Sequence, residues 1–268
     1  MLSSTVGRRS GGELIPEPAS LPSSCVLQAS PCRWVSDILA AADHAWSLLA
    51  AFNSGLLRIV GLSMSVSLSA TFIAAGIGLP LGAALAVYRV PGRDALVLLA
   101  NALLGLPPVV VGVVLYVLLS RSGPLGRLGM LFTPGAMVLA QSLLALPIVT
   151  AIIHRAMAAV WAQYGGDFLA LGLKRHQVLH HLLAIGRAEV LTAILAGFGR
   201  SVSEVGAILI VGGNIAGYTR TMTTAITLET SQGNLATSLA LGLVLIVISV
   251  AVSGAAFMLS HTRKQAGR

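Results

Sequence analysis

The chain has 268 residues, 56% of them hydrophobic and 10% charged, with a formal net charge of +8 and a mean hydropathy of +0.88. Soluble domains carry about 25% charged residues, so a water-soluble globule of this size is excluded and a polytopic membrane protein is implied. The bases sit between apolar runs rather than along one soluble face. They therefore read as topology and headgroup contacts, and no nucleic-acid partner is expected.

Residues 1–33 are rich in Ser, Pro and Gly and lack the apolar core of a signal peptide, so they read as a disordered leader or an early start codon. Cys25 and Cys32 lie there; their spacing matches no metal template. Across 34–54, Val35, Ile38, Leu39, Ala42, Trp46 and Leu49 recur near helical spacing, while Asp37, Asp43 and His44 interrupt them. That pattern fits an amphipathic helix lying at the membrane interface, or, less well, a poor span.

Five apolar spans follow. Ile59 to Tyr88 contains no charge and is long enough to cross. Ala95 to Ser120 is the second span and contains Pro107 and Pro108. The third runs from Phe132 to Ile153 with Pro147 inside. Prolines there are either simple packing kinks or a flexible gate lining a pore. After a polar segment through Arg187, the fourth span covers Glu189 to Val211 and encloses Arg200 and Glu204. A Gly/Thr-rich connection, 212–233, leads to the last span, Asn234 to Leu259, and a basic tail at 263–268. The expected fold is all-α and polytopic: five transmembrane helices in a domain over 55–262, an amphipathic N-terminal helix, and a short cytoplasmic helix.

With the segment 161–187 placed in the cytoplasm, alternation puts Arg89, Arg93, Arg155, Lys174, Arg175, Arg187, Arg263, Lys264 and Arg268 inside. Arg58, Arg121, Arg127 and Arg220 then lie outside, apart from the leader. This excess of inside bases predicts an external N-terminus and a cytoplasmic C-terminus in a multi-pass protein of the cytoplasmic membrane.

No catalytic constellation stands out. There is no G-x4-GK[ST] phosphate loop, H-E-x-x-H or paired CxxC. The chain is expected to be no enzyme and to need no cofactor, so a partner must supply energy for any pumping. His176, His180 and His181 cluster, and the i and i+4 pair shares a helix face, but no third ligand is evident, so a solvated or headgroup-facing cluster is expected.

The segment Gly165 to His176 is too polar to cross the bilayer and too apolar for a plain loop. Phe168, Leu169, Leu171 and Leu173 can form one face of a short helix, with Asp167 near its start and Lys174 and Arg175 near its end, as the helix dipole favours. Such a face needs something to bury it. In the fourth span, Arg200 and Glu204 are four apart and able to pair. Such a pair either ties the bundle together or lines the solute path, with Ser201 and Ser203 adding hydroxyls. The connection from Gly212 through Asn214 to Arg220 and Thr221 offers backbone N–H, Arg and Thr donors suited to an oxyanion. Alternatively, it is a plain external loop.

In position and shape, segment 161–187 resembles the cytoplasmic coupling loop of ABC importer permeases, whose pattern is Glu-Ala-Ala-x-x-x-Gly. Gly172 takes the motif glycine's place, and Gly166, Asp167 and Phe168 stand where Glu-Ala-Ala would be. The blocks 104–112, 118–126 and 131–134 resemble the tungstate-type permeases of that family more closely. So do Ser203-Glu204-Val205-Gly206-Ala207, 211–220, Thr223-Thr224-Ala225-Ile226 and Leu228-Glu229-Thr230. The resemblance covers residues 55–260. It implies a type I importer fold and import of tungstate, molybdate or a similar oxyanion. It also implies a permease homodimer, an ATPase dimer, and a periplasmic or lipid-anchored oxyanion-binding protein. Coupling to the ATPase then falls to Asp167, Phe168, Leu169, Gly172, Leu173, Lys174 and Arg175. The path or gate falls to Pro107, Pro108, Arg200, Ser203, Glu204, Asn214, Arg220, Thr223 and Thr224. Molybdate or sulfate permeases, and an ATP-independent secondary transporter, are the rival readings.

Overall fold

Thr133 and Pro134 open the longest helix. The Thr133 hydroxyl accepts from the Ala136 N–H at 3.4 Å, and Pro134 takes the first helical position, a pairing that suits helix starts. In the computed structural model, which describes residues 54–88 and 91–265, that helix runs Pro134–Ala170 without a stop. Pro147 lies inside it, buried. Thirty-seven residues at about 1.5 Å each exceed a hydrocarbon core of about 30 Å, so one end projects beyond the membrane.

In chain order the described elements are α1 (Ser54–Val87), α2 (Arg93–Ala102), α3 (Pro108–Leu119), α4 (Pro134–Ala170), α5 (Arg175–Ile185), α6 (Arg187–Val202), α7 (Gly206–Gly212), α8 (Met222–Ser231) and α9 (Leu235–Gln265). No strand occurs among the described residues. The leader and most of the expected interfacial helix, residues 34–53, lie outside the described residues, as do 266–268.

Three helices are long and apolar enough to cross a membrane alone, namely α1, α4 and α9. The α2–α3 and α5–α6 pairs bring the count to five if each bent pair is one span. Two expected spans are therefore not single straight helices. The second bends by 103° before Pro108, because Pro107 and Pro108 lack N–H donors and Leu106 and Pro107 turn to extended backbone. The fourth stops at Val202, not Val211, and its last residues form the separate helix α7.

α1 and α4 are the most extensively packed pair. At Gly82 a Cβ would come within 2.7 Å of the Thr150 carbonyl, so the missing side chain lets the two backbones approach, as small residues do between membrane helices. Two apolar clusters flank this seam. One joins Val66, Val111, Leu115, Met137, Ala207 and Ile208. The other joins Ala83, Val87, Val149, Ile153, Met157, Val178 and Leu182. Val178 and Leu182 of α5 are fully buried in this second cluster (both 0% exposed), which packs α5 against α1 and α4.

Leu98, Val113, Val117, Phe72, Val250 and Met258 are exposed on the outside of the bundle. An apolar exterior of this kind suits lipid or a second membrane subunit rather than water.

Candidate functional site: a polar break and a helical hairpin

The break between α6 and α7 gathers the ionisable groups of the fourth span. α6 ends at Val202, and Glu204 folds back so that its Oε2 accepts from Arg200 Nη1 at 2.7 Å. Its Oε1 accepts from the Ala207 N–H at 3.0 Å, capping the first turn of α7. The Glu204 carbonyl accepts from Thr223 Oγ1 at 3.1 Å, and Gln141 Nε2 reaches the Ser201 carbonyl at 2.8 Å. Backbone groups freed by the interruption are thus satisfied by side chains from α4 and α8, which is what a break in a low-dielectric interior requires.

The electrostatics of the pair are lopsided. The Glu204 side chain is 2% exposed and that of Arg200 28%. The carboxylate is therefore fully engaged with partners inside the chain, and the Arg200 side chain keeps part of its surface open. Ser203 is exposed beside it and donates to the Arg200 carbonyl at 3.2 Å. A cation with an open side, within an apolar bundle, is the part of this site able to meet an anion.

The bend before Pro108 lies against this break. A Cβ on Gly206 would sit 2.8 Å from Val109 Cγ2, and one on Gly112 would sit 2.9 Å from Ala207 Cα. Pro107, Pro108, Arg200, Ser203, Glu204 and Thr223 therefore belong to one region. Thr224 is fully buried and exchanges hydrogen bonds with Thr221 at the start of α8: Thr221 N–H donates to Thr224 Oγ1 at 2.9 Å. Its hydroxyl serves as a helix cap.

Asn214 and Arg220 lie elsewhere, past the far end of α7. Asn214 sits at φ 51°, a conformation Asn tolerates better than most residues. Its Oδ1 accepts from Arg220 Nε at 3.3 Å. Fully buried Thr219 closes this loop by donating to the Gly212 carbonyl at 2.6 Å and accepting from the Ile215 N–H at 2.9 Å.

Sequence reading missed Gln141 and Ser63, and named Thr221 only as the end of the Gly/Thr-rich connection. Gln141 is 2% exposed and stands alone as an amide within an apolar run, a signal that intramembrane polarity carries. With Ser63, Ser67, Thr221 and Thr223 it lines a cavity of about 10 Å³, room for one water molecule. Gln141 Oε1 has no partner there. Ser63 Oγ accepts from the Met222 N–H at 2.7 Å, tying α1 to α8.

At the hairpin between α4 and α5 the structure departs from the expected short helix around 167–175. Asp167, Phe168 and Leu169 form the last turn of α4. Leu173 N–H bonds the Phe168 carbonyl at 3.1 Å and Gly172 N–H the Leu169 carbonyl at 3.0 Å. This is a Schellman end, and Gly172 at φ 74° supplies its left-handed residue. The short helix is instead α5, which begins at Arg175. Lys174 takes the N-cap position, and its backbone N–H donates to Gln177 Oε1 at 3.0 Å. Asp167 consequently stands near a helix C-terminus, the reverse of the expected dipole arrangement. Helix formation passes Gly165 and Gly166 because Gly165 packs against the Trp161 ring, 3.0 Å from where a Cβ would lie. Phe168 and Leu173 turn inward to the cluster with Val178 and Leu182, and Phe168 stacks on His181 at 6.4 Å. Leu169 and Leu171 stay exposed, at 50% and 76%. No group of three or more metal-ligating side chains occurs among the described residues.

A polytopic helical bundle with two interrupted spans that meet at a part-buried ion pair suits a membrane transport protein. Residues 78–265 match the family described as the binding-protein-dependent transport system inner membrane component, and the chain belongs to that family. A probable anion ABC transporter permease protein of Haloferax volcanii is 39% identical over 203 residues, covering 74% of this chain and 88% of that one. The tungstate uptake system permease protein TupB of Peptoclostridium acidaminophilum is 37% identical over 219 residues, covering 81% and 95%. More distant is the molybdenum transport system permease protein ModB of Mycobacterium tuberculosis, 30% identical over 217 residues, covering 77% and 80%. The chain is thus an ABC importer permease subunit of the inner membrane. It is a transport subunit rather than an enzyme, and it works with a separate ATPase and a substrate-binding protein.

Proposed function

We propose that this permease imports tungstate or a closely related tetrahedral oxyanion, and that two copies form the path. The observation that carries the reading is the open side of Arg200, held at the broken fourth span by a carboxylate that is itself shut away. The similarity to an anion permease and a tungstate permease over most of the chain supports the substrate class. A cavity of about 10 Å³ beside Gln141 has room for one water and is too small for a tetrahedral oxyanion, which favours a route between copies rather than through one. Arg200 and Ser203 line that route. Glu204, which would repel an anion, orients Arg200 and caps α7. Asn214 and Arg220 stand at the outer mouth, where the binding protein delivers the anion.

The exposed tip Leu169–Leu171, flanked by Lys174, docks on the ATPase dimer through apolar packing. The grouping of Arg93, Arg155, Lys174, Arg175 and Arg187 at the hairpin end supports a cytoplasmic hairpin and C-terminus with an external N-terminus. Molybdate is the second reading, favoured by the similarity to ModB. Uptake of labelled tungstate into proteoliposomes holding permease, ATPase and binding protein separates the two. Unlabelled tungstate is expected to compete most strongly, molybdate less and sulfate least. Competition by sulfate but not by tungstate contradicts the substrate assignment.

A further inference from the structure

We propose that Arg175 and Arg93 form a latch that binds the docking hairpin to the end of α1, so that α1 is the rod through which ATPase movement reaches the polar break. The proposal rests on the reading of the hairpin as the docking surface.

The last carbonyls of any helix lack donors of their own. At the end of α1, the Leu85 carbonyl accepts from Arg93 Nε at 2.6 Å, and the Val87 carbonyl accepts from Arg175 Nη1 at 3.4 Å. Arg93 is the first residue of α2 and Arg175 the first of α5. A cation in the first turn of its own helix opposes that helix's dipole, whereas a cation at another helix's C-terminus is favoured. Both arginines are therefore placed for α1 and not for the helices they begin. Arg93 also reaches His154 of α4 with Nη2, at 3.5 Å.

The contact is not isolated. Val178 and Leu182 lie three and seven residues after Arg175, on the same face of α5, and both are buried in the cluster that contains Ala83 and Val87 of α1. One face of α5 is thus fixed to α1 by a charge-assisted bond and two buried side chains. The other arm of the hairpin exposes Leu169 and Leu171. A push on the exposed arm displaces α5 together with the end of α1. α1 runs as one helix from Val87, past Pro80, back to Ser63, whose hydroxyl receives the Met222 N–H, next to the Thr223 that holds the Glu204 carbonyl. Hairpin and polar break are joined by a single helix.

The test compares wild type, Arg175→Gln, Arg175→Lys and Arg93→Gln, each reconstituted with ATPase and binding protein, and reads labelled tungstate transported per ATP hydrolysed. Arg175→Gln is expected to lower that ratio about tenfold, in the usual range of coupling between sites. Arg175→Lys, which keeps a charge for the Val87 carbonyl, is expected to recover most of it. A merely structural role lowers yield without changing the ratio. A wild-type ratio in Arg175→Gln, or no recovery in Arg175→Lys, overturns the latch. If Arg175→Gln does not purify, Arg93→Gln decides, and a wild-type ratio there overturns it equally. Failure of the ATPase to co-purify with the wild-type chain contradicts the docking reading instead.

Discussion

Glu204 Oε2 lies 2.7 Å from Arg200 Nη1, with the Glu204 side chain buried in the bundle and that of Arg200 partly exposed. The asymmetry decides what each residue does. Glu204 fixes the position of the cation and caps α7; Arg200 faces outward.

Removal of Glu204 is expected to cost more stability than its charge alone accounts for. Glu204→Leu leaves Arg200 without its carboxylate and the Ala207 N–H without an acceptor. A loss of about 2 kcal/mol follows, less than the ~3–5 kcal/mol of a fully buried pair because Arg200 keeps solvent access. Glu204→Gln retains an acceptor for Ala207 and should lose about half as much. Thermal unfolding in detergent measures both, and equal losses would contradict the capping role.

The Gly82 contact distinguishes packing from sequence tolerance. Gly82→Ala forces a Cβ toward the Thr150 carbonyl, 2.7 Å away, whereas Gly76→Ala meets nothing within 4 Å. The first should destabilise by about 1–3 kcal/mol, as overpacking does, and the second should leave the melting temperature near wild type. A stable Gly82→Ala variant contradicts the close α1–α4 approach.

Much of this arrangement was legible in the apolar runs. Long stretches without charge located α1, α4 and α9, and the Pro107-Pro108 pair marked a site of bending. The stop at Val202 was not legible, because Ala-Ile-Leu-Ile-Val after Gly206 continues the apolar average. What ends α6 is tertiary: Gln141 takes the Ser201 carbonyl and Thr223 takes that of Glu204. The hairpin was misread for a related reason. Gly165 and Gly166 look like breakers, yet packing against Trp161 carries the helix past them, and Gly172 stops it by its left-handed backbone. The Arg200–Glu204 pair was readable from spacing alone, although its carboxylate lies just beyond the helix end.

Gly172→Ala should weaken the hairpin without unfolding the bundle. An Ala at φ 74° costs about 1 kcal/mol, confined to the turn after α4. Hydrogen exchange at Leu171 to Leu173 should speed up while α1 stays protected. Uniform exchange across α1 and α4 would show that the turn is not a separate unit.

Leu169→Asp and Leu171→Asp address docking directly. Both side chains are exposed, so melting should shift little, while recovery of the ATPase in co-purification should fall about tenfold or more, as for truncated apolar anchors at interfaces. Undiminished recovery with both changes together contradicts the apolar docking tip.

The most direct measurement is ATP hydrolysis by the reconstituted permease–ATPase complex, with the binding protein added either empty or loaded with tungstate. Loaded protein is expected to stimulate hydrolysis several-fold over empty protein, and Arg200→Gln to abolish tungstate uptake while the complex stays assembled. Equal hydrolysis with loaded and empty protein, together with tungstate uptake that needs no ATP, would contradict the assignment of this chain to an ATP-driven tungstate importer.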